Sequence, residues 1–262
     1  MRDIVVTISN ANQNVNPLES IDAIKEAGFE NVFIEWYNKS WEVSQQAQLD
    51  YCRKLGLDVI FAHLGYQGIN NLWLENDEGE ALVTRFKNDI RICKENGFDL
   101  VVMHVTSKSE APGPNATGIK RLTEIVAYAK ELGVKVAFEN TKIKGYLEYI
   151  VDYIPDAGIC LDVGHMHAHF KDEFPFEKFV DKIFAVHLHD NHGDKDAHLL
   201  PFEGTLDWKW LIEKLYACHY IGPITLELVY QNEYVTMNVV EFYKKGYEMG
   251  LKLQNMFEEN YK

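Results

Sequence analysis

Apolar and polar residues follow one another along this chain in blocks. Short runs rich in Val, Ile and Phe recur at 3–9 (DIVVTIS), 31–35 (NVFIE), 57–63 (LDVIFAH), 99–104 (DLVVMH), 134–139 (VKVAFE), 158–162 (GICLD), 183–189 (IFAVHLH) and 223–228 (PITLEL). Each reads as a strand, and the near-continuous apolar character is what parallel strands covered on both faces require. Between them the apolar residues take helical spacing. One helix is opened by Pro17 and stopped by Gly28, another spans 43–55 ahead of Gly56, and a third spans 79–96 ahead of Gly97. Further helices end at Gly133, span 145–153, start at an Asp207 cap and run to about residue 219, and close the chain over 234–257. Residues 165–178 have no clear period, and 64–78 form a long connection rich in Gly, Asn and aromatics that suits a lid. Eight strand–helix–glycine units in 262 residues predict a single α/β domain over 1–262, a (β/α)8 TIM barrel. An open doubly wound sheet is the alternative, and the lack of a Gly-rich phosphate loop after the first strand counts against it.

Composition narrows the setting. Cys52, Cys93, Cys160 and Cys218 are widely spaced with no Cys-x-x-Cys pair, which reads as buried or free thiols in a reducing compartment. The first residues lack signal-peptide anatomy, and no apolar run is long enough for a membrane helix. The expectation is a soluble cytoplasmic protein without a membrane partner. The net charge of −14 repels phosphate polymers and anionic lipid, which makes nucleic acid an unfavourable partner and a small molecule the better one. A homo-oligomer is left open, with the long closing helix available for pairing.

The candidate chemistry gathers at the strand ends. Glu35, His63, His104, Glu139, Asp162, His187 and Glu227 each fall at or near the C-terminal end of a predicted strand, the face where barrels of this kind place their active sites. So many charges on one buried face need a cation to neutralise them; the alternative is a hydrogen-bonded polar network. Glu139, Asp162, His187 and Glu227 form an oxygen-rich set suited to Mn²⁺, Co²⁺ or Mg²⁺. His63 and His104, with Glu139 as a bridge, form a softer set in the manner of Zn²⁺. Asp196, His198 and His165 make a third set or an outer layer. His187 and His189 share one face of their strand by period two, so each competes for the ligand position there. Trp36, Tyr66 and Trp73 are candidates to stack on a sugar ring or to cover the barrel mouth. Trp208 and Trp210 read as packing.

Five segments carry a family resemblance: VAFEN at 136–140, CLDVGH at 160–165, VHLHDN at 186–191, DAHLLPFEGTLDW at 196–208 and ITLEL at 224–228. With them the chain resembles the xylose-isomerase-like TIM-barrel superfamily, which contains sugar isomerases and epimerases and the type IV apurinic endonucleases. In the sugar-active branch the resemblance implies a divalent-metal-dependent isomerase or epimerase of a keto sugar or related polyol. Glu139, Asp162, His187 and Glu227 would hold the metal. Glu139 and Glu227 would also act as acid and base, moving a proton through a metal-stabilised enediolate. Glu35, Trp36 and His189 are expected near the substrate, His165 at a polar position beside it, and Asp196 and His198 on a loop that closes over the site. A metal-dependent dehydratase on the same scaffold, and a non-catalytic sugar-binding barrel, stay open. The endonuclease branch implies three zinc ions held by His63, His104, Glu139, Asp162, His165, His187, Asp196, His198 and Glu227. Against it stand AHLGYQGINN and LDVGHMHAH, which depart from that branch's HAPY- and DTCH-type segments, and the acidic charge.

Overall fold

The computed structural model describes residues 1–8, 15–36, 43–108, 110–170 and 173–260. Eight parallel strands lie in the order β7-β6-β5-β4-β3-β2-β1-β8. They are β1 Ile4–Thr7, β2 Asn31–Trp36, β3 Asp58–Leu64, β4 Leu100–His104, β5 Lys135–Glu139, β6 Gly158–Asp162, β7 Ile183–His187 and β8 Ile224–Leu226. The ring closes just beyond β7, where the Leu188 amide donates to Thr225 O at 2.8 Å and the Glu227 amide donates to Leu188 O at 3.2 Å. This is the (β/α)8 barrel the block pattern predicts. The predicted first strand reached Ser9, which lies outside the described residues.

Helices α1 Pro17–Ala27, α2 Gln45–Leu55, α3 Asp77–Glu95, α4 Ala116–Glu131, α5 Tyr146–Tyr153, the short α6 Val163–His165, α7 Trp208–Ala217 and α8 Val239–Asn260 wrap the sheet. Their starts follow the local chemistry. Asn16, Ser44, Asn76, Asn115 and Asp207 each turn a side-chain oxygen onto a first-turn amide. Gly28 ends α1 with φ 101°, a conformation that only glycine adopts without strain. The irregular segment after β6 resolves into a π-turn, Met166–Phe170, and a 3₁₀ turn, Phe176–Phe179.

Two apolar bodies hold the fold. The larger one lies between strands and helices. The smaller one fills the barrel itself and consists of Val5, Phe33, Phe61, Val102, Ala137, Cys160 and Ala185, all buried. Phe33 and Phe61 stack at its centre, with ring centroids 4.8 Å apart. All four cysteines are buried and free, as expected from their spacing.

The connection 64–78 is not a lid. Its 3₁₀ turn Ile69–Trp73 buries Ile69, Leu72 and Trp73. The buried guanidinium of Arg121 donates to Asn71 O, Leu72 O and Asn76 O and to the Glu80 carboxylate. Trp73 donates its indole N–H to Val105 O at 2.8 Å and packs edge-on against Tyr146. Trp73 is therefore a core residue, not a sugar-stacking one: a buried indole needs an acceptor and finds it in the backbone.

Candidate metal centre

Strand register sets the site. Glu35 pairs with His63, His104 with Glu139 and Asp162 with His187, so neighbouring strands bring these side chains to one level. Glu227 follows β8 directly. Two residues below each of these paired strand-end groups lies a residue of the apolar plug, whereas Thr225 lies below Glu227, and the His187 ring rests on Phe33 at 5.2 Å, nearly parallel.

Glu139 is buried at the centre. His63 Nε2 reaches its Oε2 at 2.9 Å, while His104 Nε2 and His165 Nδ1 lie 3.3 and 3.5 Å from its Oε1. His187 Nδ1 lies 3.2 Å from Glu139 Oε2, 3.5 Å from Glu227 Oε2 and 3.9 Å from Asp162 Oδ2. Despite these approaches, neither ring nitrogen of the fully buried His187 has a hydrogen-bond partner. An imidazole in that state, facing three carboxylates without hydrogen-bonding any of them, is what a cation between them would satisfy. Among the described residues, Asp162, His187 and Glu227 offer ligand atoms within 4.8 Å of one another. So do His63, Glu139 and His187, and Glu139, Asp162 and His165. The donor set fits a divalent cation.

Charge supports that fit. Burial pushes the Glu139 carboxyl up, but the imidazoles of His104 and His187 outweigh it and hold the carboxyl well below the usual carboxylate range. Burial acts in the same direction on Asp162, and His165 and His189 overcome it. Burial lowers His187 and His165, but Cys160 with Glu227 and Glu139 holds the first, and Asp162 with Asp196 and Glu139 the second, well above the ordinary imidazole value. The raised proton affinity of His187 and His165 offsets the carboxylate charge, and a cation would compete with those protons.

The loop after β7 is shaped by Asp190, one of the acids in the His/Asp-rich run that follows this strand, with no separate role legible in the sequence. The buried Asp190 carboxylate accepts from the amides of Asn191, Phe202 and Leu206 and from the Trp208 indole, at 2.8–3.2 Å. Those bonds fold the loop back so that Asp196 and His198 face the centre. His198 itself takes a positive φ of 48°, which the surrounding bonds must hold. Trp208 is thus packing, as expected, but also a donor. Asn140 was overlooked as well: its side chain exchanges two hydrogen bonds with the Asp162 backbone, at 2.7 and 2.8 Å, and ties β5 to β6 beside the site. Asn140 sits in the VAFEN segment next to Glu139, and Asp190 sits between His189 and Asn191. Adjacency to a candidate ligand was the available signal for both.

A cavity of about 210 Å³ opens over this centre, lined by Glu35, His63, Tyr66, His104, Glu139, His165, Asp196, His198, Glu227, Val229 and Gln231. The Tyr66 ring stacks on His104 at 4.4 Å. Two expected substrate neighbours are elsewhere. Trp36 follows Glu35 in β2, so the pleat turns it to the outer face, where it packs edge-on against Phe98. His189 is fully buried behind Asp162 and does not reach the cavity. A larger groove of about 470 Å³ at the other end of the barrel is lined by the His219–Asp181 pair, Asp99 and Lys135, and among the described residues it brings together no comparable set of acids and imidazoles.

Residues 21–248 match the family model of the xylose isomerase-like TIM barrel. The chain belongs to that family. The protein y4fM of Sinorhizobium fredii, itself uncharacterized, is 26% identical over 90% of this chain and 88% of its own length. A D-tagatose 3-epimerase-like protein of solved structure is 22% identical, with full coverage of both chains and a TM-score of 0.77. The IolI protein, solved with a bound zinc atom, is 18% identical over 97% of this chain and 98% of its own, with a TM-score of 0.76. At these identities the two solved structures share the barrel fold with this chain. No helix among the described residues is long and apolar enough to cross a membrane.

Proposed function

We propose that this xylose isomerase-like barrel is a divalent-metal-dependent isomerase or epimerase acting on a keto sugar or related polyol. The carrying observation is convergence: carboxylate oxygens of Glu139 and Glu227 both lie within 3.5 Å of the same unpartnered His187 nitrogen, with Asp162 beside them. In this reading Glu139, Asp162, His187 and Glu227 hold the cation, with Mn²⁺, Co²⁺ or Mg²⁺ favoured by the oxygen-rich donors and Zn²⁺ also accommodated. When bound, the cation supplies Lewis-acid polarisation of adjacent hydroxyl and carbonyl oxygens of the sugar. Glu139 and Glu227 approach the cavity from β5 and β8, so they flank a carbon seated between them. One takes its proton and the other returns one. Glu35, at the cavity wall, is placed to accept from a sugar hydroxyl. The names of the D-tagatose 3-epimerase-like and zinc-bound IolI neighbours fit a sugar ligand and a metal.

The test is a panel of ketoses and inososes with added divalent ions in deuterated water. Uptake of solvent deuterium into the sugar without loss of water supports the isomerase or epimerase; loss of water makes the protein a dehydratase. One observation favours a second reading. All nine residues expected of a trinuclear-zinc endonuclease lie together, from His63 and His104 through Glu139 to Asp196 and His198. Cleavage of abasic duplex DNA would establish it, and the charge of −14 opposes it.

A further inference from the structure

His187 has a second nitrogen that a cation among the carboxylates does not explain. Nδ1 faces Glu139, Glu227 and Asp162, whereas Nε2 is buried with no hydrogen-bond partner. An imidazole that gives its Nδ1 lone pair to a metal carries its proton on Nε2, and histidines so bound almost always pass that N–H to an acceptor. Phe33 stacks on the ring face, so the acceptor must meet the ring at its edge.

The plug supplies it. Val5, Phe33, Phe61, Val102, Ala137, Cys160 and Ala185 come one from each of β1 to β7. The eighth position, on β8, is Thr225, fully buried and paired with Val5 in register. Cys160 and Thr225 are the two of the eight whose side chains carry a polar atom. They stand on the strands either side of β7, which carries His187. Leu188 bridges Leu226 in parallel register, and both leucines belong to the outer apolar body. One residue back, His187 and Thr225 therefore stand side by side and turn inward. Thr225 Oγ1 is buried without a partner, as His187 Nε2 is. A hydroxyl oxygen accepts and a ring N–H donates, so each atom is what the other lacks. Cys160 lies one step lower, level with Ala185, and its thiol also interacts with the His187 ring. Sulfur is the weaker acceptor of the two.

We propose that Thr225 is a positioning residue for the metal: its hydroxyl takes the Nε2–H of His187 and so fixes the tautomer that leaves Nδ1 open to the cation. The inference rests on the metal-dependent reading above, and its test separates the two.

The full chain is stripped with chelator and titrated with Mn²⁺. Thr225→Val keeps the shape of the side chain and removes the oxygen, whereas Thr225→Ser keeps the oxygen and gives up a methyl. Thr225→Val is expected to weaken Mn²⁺ binding about 10- to 100-fold. Its metal-free melting temperature is expected to stay at or above that of wild type, because a buried unpaired hydroxyl is gone. Thr225→Ser is expected to melt lower and yet bind Mn²⁺ close to wild type. A merely structural role would give the opposite order. Nitrogen NMR of the Zn²⁺-loaded chain gives a readout independent of affinity: His187 protonated on Nε2, with that proton slow to exchange in wild type and Thr225→Ser and faster in Thr225→Val. Unchanged Mn²⁺ affinity in Thr225→Val, or a larger loss in Cys160→Ala, overturns the inference and leaves the cation standing. A wild type that binds no Mn²⁺ removes the metal-dependent reading and this inference with it.

Discussion

The barrel interior has two layers built from the same strands, two residues apart. Phe33, Phe61, Val102, Ala137, Cys160 and Ala185 form the lower one. Glu35, His63, His104, Glu139, Asp162 and His187 form the upper one. One step of the pleat turns a dry plug into a ring of acids and imidazoles. The lower layer is apolar and buried throughout, and its Cys160 thiol interacts with the ring above, at His187. The upper layer leaves His187 without a hydrogen-bond partner, holds the Glu139 carboxyl well below its ordinary proton affinity and holds His187 well above its own. The plug gives the site a buried, apolar floor. Without that floor the ring's charges would be solvated and the need for a cation would weaken.

The layers should respond differently to substitution. Glu139→Gln and Glu227→Gln keep shape and remove a proton-accepting carboxylate. Each is expected to cut turnover at least about a hundredfold with an unchanged circular dichroism spectrum. Wild-type-like activity in either would contradict its role. Phe33→Ala, in the floor, should act on stability instead. It leaves a cavity under His187 and is expected to cost about 3–5 kcal/mol in denaturant unfolding. Little loss there would mean that the plug does not support the ring.

The protons of the upper layer give a third contrast. Burial lowers His198, but the Asp196 carboxylate and then Glu227 raise it from 6.5 to about 9. It therefore stabilises the metal-free fold fully below pH 6.5, and that contribution is lost as pH rises through 9. Melting temperatures in chelator should fall across this window. Added divalent cation should reverse the trend, because it displaces the same protons and binds more tightly as pH rises. Equal pH slopes with and without cation would argue against linked sites. The smallest effect is expected outside both layers. Trp36→Ala should leave KM near wild type, whereas Tyr66→Ala, which exposes one face of His104, should raise it.

Much of this was legible in the sequence, because a parallel barrel writes itself as apolar runs that end in chemistry. Every residue named as a metal ligand lies at the mouth, since strand ends are set by the same apolar runs that set the strands. What escaped was whatever depends on direction rather than position. Trp36 and Glu35 are neighbours in sequence, and only the pleat separates cavity from outer face. The 64–78 connection looked mobile by its Gly and Asn content, yet Arg121, many residues away, pins it through backbone carbonyls. Asp190 looked like one more acid in a cluster, and its four donors come from residues 191–208, whose fold the sequence does not reveal.

The central claim is that Glu139, Asp162, His187 and Glu227 share one cation. Crystals soaked in Mn²⁺, with data collected at wavelengths above and below the manganese edge, test it most directly. The account predicts an anomalous peak within bonding distance of a carboxylate oxygen from each acid and of His187 Nδ1. A difference map with no manganese among these four residues, from crystals that bind it elsewhere, would contradict it.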